Sequence, residues 1–264
     1  MFAQAAPPRT VVITGASRGL GRALALAYAA PGRRLALLAR NQELLSYTAR
    51  LCEMRGAQVL QRTCDVSDQA AMAAFVAAVE AGGAIDLAIA NAGEFWGNGP
   101  NGALEPLARA LGLIKVNLDG AIVTVNSVLP RMRERRQGHI ALIASMAALN
   151  PLADAPAYSA SKAGLAAYGE ALREMLAPEG ISVSIVCPGH IDTDQSEVRV
   201  GALPLLLLPD EAAQIIVAHL ARRRGGLIAF PRRLAWLIRL GWLLPWRLRA
   251  LLQRPLRFHV SQRS

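Results

Sequence analysis

TVVITGASRGLG, residues 10–21, runs a short β-branched strand into a glycine-punctuated turn and then into an Ala/Leu-rich helix extending to about Ala30. Gly15, Gly19 and Gly21 allow a tight turn, close approach of a phosphate and close packing of helix on strand. The exposed amides at the helix start favour an anion. The spacing is TGxxxGxG rather than GxGxxG. A glycine turn can serve any strand-to-helix junction, but after the first strand of a chain it points to nucleotide binding.

The pattern then repeats. RLALLA (34–39), AQVLQRT (57–63), IDLAIAN (85–91), HIALIAS (139–145), ISVSIVCP (181–188) and GLIAF (226–230) read as further strands. Helical patterns cover 42–54, 67–80, 103–136 and the segment that carries Tyr158. This alternation implies right-handed βαβ units and a parallel sheet covered on both faces. The expected fold is α/β: a Rossmann-like, doubly wound, three-layer α/β/α domain over residues 8–230, followed by a separate tail, 231–264. A chain of 264 residues is long enough to bury such a core.

Apolar residues make up 53% and charged residues 18%, with apolar runs shorter than the roughly 20 residues of a spanning helix. MFAQAAPPRT has no basic region followed by an apolar one, so no secretory signal is expected. The three cysteines, Cys52, Cys64 and Cys187, have no metal-like spacing, which fits structural thiols in a reduced, cytoplasmic setting and no bound metal. The net charge of +10 is localised. Residues 212–264 hold eleven Arg and no acidic residue, whereas the preceding 211 residues carry 18 basic against 19 acidic side chains.

YSASK places Tyr158 and Lys162 four residues apart, on one helix face. That pair is common by chance. In order along the chain it joins TGASRGLG, Asp65-Val66 after the third strand, Asn91-Ala92-Gly93 after the fourth, and Asn117 in IKVNLDG. Ser145 stands thirteen residues before Tyr158, and PGHIDT (188–193) follows the sixth strand. With these pieces the chain resembles a single-domain short-chain dehydrogenase/reductase from about residue 8 to 195. It departs at Ala90 and Ala144, where the family often has Asn and Ser.

The resemblance implies an oxidoreductase that moves hydride between a nicotinamide and a carbonyl or secondary alcohol. Tyr158 would be its proton donor or acceptor, Ser145 would polarise the carbonyl, and Asn117 would hold a water that links Lys162 to solvent. A free tyrosine titrates near ~10, and a neighbouring ammonium lowers that value. Lys162, one of only two lysines among 29 basic side chains, would supply it and also bond the nicotinamide ribose. The implied cofactor contacts are Gly15, Ser17, Arg18, Gly19, Leu20 and Gly21 of the glycine turn, with Arg40, Asp65 and Val66. Asn91, Ala92, Gly93, Tyr158, Lys162, Pro188, Gly189, Ile191 and Thr193 complete them.

An acidic residue ending the second strand would favour NAD. Here Ala39-Arg40 stands there with Arg18 in the turn and no acid nearby in sequence, which favours NADP(H). Leu205 to Leu208 read as a wall over the substrate, a buried helix start or a subunit contact, and Trp96 as a further apolar surface. Together they favour an apolar substrate. In the tail, Pro245 should separate two short helices. Their interleaved Arg, Trp and Leu suit an anionic membrane surface on the cytoplasmic side, or a contact within a homodimer or homotetramer, better than nucleic acid. A non-catalytic NADP-binding sensor or membrane-surface scaffold is the alternative. The complete Asn, Ser, Tyr and Lys set argues against it.

Overall fold

A computed structural model describes residues 7–99, 102–193, 199–200, 205–222, 225–241, 243–253 and 258–260. In chain order its first half comprises β1 (Thr10–Thr14), α1 (Gly19–Tyr28), β2 (Arg34–Ala39), α2 (Gln42–Glu53), β3 (Gln58–Thr63), α3 (Gln69–Ala81) and β4 (Leu87–Ala90). Next come α4 (Leu107–Ile114), a π turn (Lys115–Asp119), α5 (Gly120–Arg135), β5 (Gly138–Ile143), α6 (Met146–Leu149), α7 (Pro156–Leu176) and β6 (Ile181–Pro188). The last are β7 (Arg199–Val200), α8 (Pro209–Leu220), β8 (Gly226–Phe230), α9 (Arg232–Gly241), α10 (Trp246–Gln253) and β9 (His259–Val260).

Seven strands form one parallel sheet in the order β3-β2-β1-β4-β5-β6-β8. Alternate residues of each strand feed two cores. Val11 and Ile13 of β1 and Leu35 and Leu37 of β2 face a layer built with α1, α2 and α8. Val12, Ala36 and Leu38 face the opposite layer, with α3, α5 and α7. Burial on both sides explains why these strands read as continuous apolar runs rather than alternating ones. β3 is an edge strand and mostly exposed, with Gln58, Gln61 and Arg62 at the surface.

Local chemistry sets the helix starts. Asn41 Oδ1 accepts from Leu44 N at 2.8 Å and Asp68 Oδ1 from Ala71 N at 3.0 Å, capping α2 and α3. Pro156 opens α7 at a position where a missing N–H costs nothing. The helical pattern read over 103–136 is not one uniform helix, because the π turn separates α4 from α5. The 29 residues Leu107–Arg135 are long and apolar enough to cross a membrane by composition, yet Val125, Val128, Leu129 and Met132 belong to the core beside α3 and α7. The strand read to Ser145 ends at Ile143, leaving Ser145 to cap α6 by accepting from Ala147 N at 3.1 Å.

Because every pairing is parallel, the carboxyl ends of β1, β2, β4, β5 and β6 share one edge, and the reversal of sheet order between β1 and β4 opens a crevice there. This is where ligands bind in open α/β sheets. Helix α7 crosses beneath that edge and touches the sheet closely at Gly169, where a Cβ would lie 2.5 Å from Ile185 Cγ1 and 2.9 Å from Leu142 Cδ1. Gly169→Val therefore overpacks the layer. The expected loss is about 2 kcal/mol, read as a lowered urea midpoint with an unchanged slope.

Candidate active site

A cavity of about 980 Å³ lies along the carboxyl edge of the sheet. One end is the β1–α1 turn. Gly15 and Gly19 have φ of +69° and +52°, a backbone that L side chains rarely adopt. A Cβ on Gly21 would sit 2.1 Å from Gly15 O, so the turn closes on itself only with glycine there. Asn91 Nδ2 donates to Thr14 O at 3.0 Å and Gly15 O at 3.3 Å, while Thr14 Oγ1 accepts from Asn91 N and Ala92 N, both at 3.1 Å. Arg22 donates to Ser17 O at 2.7 Å from behind. The turn and the N-terminus of α1 form a cradle for a phosphate-bearing ligand, and the fit of a dinucleotide rests on that backbone.

Three of the four predicted chemical groups share the cavity wall. Ser145, Tyr158 and Lys162 line it together. Lys162, only 5% exposed, donates from Nζ to Ile143 O at 2.9 Å and lies 5.9 Å from the Tyr158 ring centroid. Burial pulls its ammonium from the ordinary 10.5 down to about 8, against a weaker opposing contribution from Cys187. Burial likewise pushes the Cys187 thiol up to about 11, so it behaves as a packed, unreactive side chain.

Asn117 is fully buried and lies behind the cavity, not in its wall. Its Oδ1 accepts from Glu94 N at 2.7 Å, and its Nδ2 donates to Glu94 O at 2.9 Å and Ser161 Oγ at 3.0 Å. Both amide hydrogens are thereby used. These bonds clamp the loop after β4 to α7 and leave a second lone pair on Oδ1 as the side chain's remaining place for a water. A Cβ on Gly93 would sit 3.1 Å from Asn117 Oδ1 and 3.3 Å from Lys162 Nζ, so this loop also depends on having no side chain there.

At the other end Arg18, Arg40, Asp65 and Val66 line the cavity as predicted. The absence of a nearby acid, read along the sequence, does not hold in space: Arg40 forms an ion pair with Glu94 from the loop after β4. Asp65 Oδ1 accepts from Ser67 N at 2.8 Å and Ser67 Oγ at 2.7 Å; chiefly the main-chain bond holds its carboxyl below the usual range. Pro188, Gly189, His190, Ile191 and Thr193 complete the rim, with Ser17, Leu20, Ala92 and Gly93 at their predicted places. A lone loop histidine carries no signal of its own in the sequence, yet His190 stands on this rim.

The substrate wall differs most from expectation. Leu205 to Leu208 do not line the cavity: Leu207 packs against the first core and bonds back to His190 O and Asp192 N, and Leu208 precedes α8. Trp96 also stands outside, under the Arg109 guanidinium at 4.9 Å, and its neighbour Phe95 lines the cavity instead. Phe95 meets the Tyr158 ring edge-on at 4.9 Å, and Phe258 joins the cluster, its N–H donating to Asp154 Oδ2 at 3.1 Å. The apolar wall comes from the tail: Leu234, Leu237, Ile238, Leu240 and Leu244, with Arg249 at its edge. Residues 194–198 and 201–204 on either side of β7 lie outside the described residues.

An open doubly wound sheet with a glycine cradle and a Ser, Tyr, Lys wall at its carboxyl edge defines a nucleotide-binding oxidoreductase class. The short chain dehydrogenase family model matches residues 9–200, and the chain belongs to that family. Ketoacyl reductase HetN of Nostoc sp. is 34% identical over 79% of this chain and 74% of its own. A metagenomic short-chain oxidoreductase solved in complex with NADP is 34% identical, with a TM-score of 0.70 over 84% of this chain and 94% of its own. A short chain dehydrogenase from Mycobacterium paratuberculosis, bound to NAD, is 25% identical, with a TM-score of 0.74 over 84% and 95%.

The depressed Lys162 makes stability depend on pH. Below about 8 the residue is charged in both folded and unfolded chains, and the full burial cost is present. Between about 8 and 10.5 the folded chain sheds its proton first, so the wild type gains stability relative to Lys162→Met over that window. Urea midpoints of the two proteins at a series of pH values should converge or cross upward from pH 8. A gap that does not change with pH would show that Lys162 is not depressed.

Proposed function

We propose that this protein is an NADP(H)-dependent carbonyl reductase or alcohol dehydrogenase for an apolar substrate, and that Ser145, Tyr158 and Lys162 carry its chemistry. The supporting observation is that these three side chains share the wall of one cavity, between a phosphate cradle and an apolar end built by the tail. NADP(H), when bound, supplies or accepts the hydride.

Tyr158 gives its phenolic proton to the substrate oxygen in reduction and takes it back in oxidation. The Lys162 ammonium favours the phenolate from the same helix face. Ser145 Oγ spends a lone pair on the Ala147 amide, which leaves its O–H hydrogen to donate to the carbonyl and stabilise charge on that oxygen. Asn117 acts as a positioning residue, fixing the Glu94 backbone against α7. The apolar end suits an acyl chain, and a ketoacyl reductase among the relatives makes ketoacyl compounds the first substrates to screen. Leu104, Leu107 and Leu111, exposed at and just before α4, offer an apolar face to a second copy in a homo-oligomer.

Arg18 and Arg40 favour NADP(H) over NAD(H), with Arg40 exchanging its Glu94 partner for the 2′-phosphate. That ion pair is partly exposed and worth at most about 1 kcal/mol, so it competes only weakly. NADPH should bind tighter than NADH, and Arg40→Ala should lose roughly tenfold in NADPH affinity, as loss of a charge-assisted bond does. Glu94→Gln should tighten NADPH by up to about fivefold, since it removes that competition. Dissociation constants measured by nicotinamide fluorescence check all three, and a wild-type preference for NADH would overturn the assignment.

Tyr158→Phe should fold and bind NADPH with wild-type affinity while its turnover falls by about 10²-fold or more. Near-normal turnover in that variant would exclude Tyr158 as the proton donor.

A further inference from the structure

Helix α9 has two unlike faces. Leu234, Ile238 and Gly241 face the cavity, and Ala235 is buried. On the other side Arg232, Arg233 and Trp236 are exposed, and Leu237 and Leu240 form a rim that both lines the cavity and reaches the surface. Beyond the helix Leu243 is 81% exposed, and α10 adds exposed Arg247, Leu248 and Leu251. Trp236 and Leu240 are four residues apart in α9, which keeps them on one side of it. Large apolar side chains interleaved with arginines thus surround the substrate end of the cavity.

We propose that this face docks on an anionic lipid bilayer, with the cavity mouth opening at the lipid surface. The inference about substrate route rests on the oxidoreductase reading above; the docking does not. The helices have ten and eight residues, too short to span and suited to lying in the interface plane. Charge decides between lipid and a second copy of the chain. In a two-fold contact the same patch faces itself. Residues 212–264 hold no Asp or Glu, so arginines would meet arginines with no carboxylate from this segment between them. An anionic bilayer accepts both the arginines and the apolar side chains. An apolar carbonyl compound dissolved in the bilayer would then reach Tyr158 along the leucine wall without crossing water.

Sedimentation of the full-length protein with phosphatidylcholine vesicles, and with vesicles that also contain phosphatidylglycerol, tests the docking without cofactor or substrate. Binding is expected to the anionic vesicles, to weaken with added salt, and to be weak on the neutral ones. Two double variants leave the cavity lining intact: Arg232→Glu with Arg233→Glu, and Trp236→Ser with Leu243→Ser. Each should weaken vesicle binding by at least about tenfold. Each should reduce a water-soluble ketone within about twofold of wild type, but a long-chain ketone held in anionic vesicles more slowly. Vesicle binding without ketone reduction would defeat the oxidoreductase reading and leave the docking standing. No binding to anionic vesicles, binding unchanged in both variants, or a wild-type dimer that the Trp236 variant splits with no vesicle binding in either, would overturn the docking.

Discussion

A buried ammonium organises this molecule. Lys162 lies inside the protein with its Nζ on the Ile143 carbonyl, where charge is disfavoured enough to bring its pKa to about 8. Such a group costs stability in a protein that has no use for it. The surrounding structure is arranged to keep it there: β5 supplies the carbonyl, α7 supplies the backbone, and Gly93 leaves the space. A cation at such a depth acts through a low dielectric, which is what the role proposed for Lys162 beside Tyr158 draws on.

Precision around that charge depends on polar groups that touch no reacting atom. Asn117 is consumed by the loop after β4 and by Ser161, and Asn91 by the glycine turn. Both hold backbone at the carboxyl edge, one behind the chemical groups and one behind the phosphate cradle. Ser145 combines a capping bond with a place in the wall, which fixes its rotamer. The fold therefore spends buried hydrogen bonds where the backbone would otherwise be loose.

The tail is not an appendage in the structure. Helix α9 follows β8 directly and closes the apolar end of the cavity, and Phe258, beyond α10, packs with the Phe95–Tyr158 cluster. Its amphipathic pattern was plain, but periodicity cannot tell which partner a greasy face meets. The four leucines at 205–208 illustrate the same limit from the other side. They read as a wall, a helix start or a subunit contact; Leu207 packs against the core with bonds to residues 190 and 192, Leu208 precedes α8, and none of the four lines the cavity.

Local periodicity and fixed short spacings were enough to read the succession of strands and helices along the chain, the parallel sheet, the glycine turn and the Tyr158–Lys162 helix. Tertiary structure alone decided contacts between distant segments: Glu94 reaching Arg40, Asn117 clamping the loop after β4 to α7, Phe95 replacing Trp96, and the tail forming the apolar wall. Local patterns record which face of an element is apolar and which residues can lie side by side. What each face meets depends on chain segments brought together only when the sheet has closed.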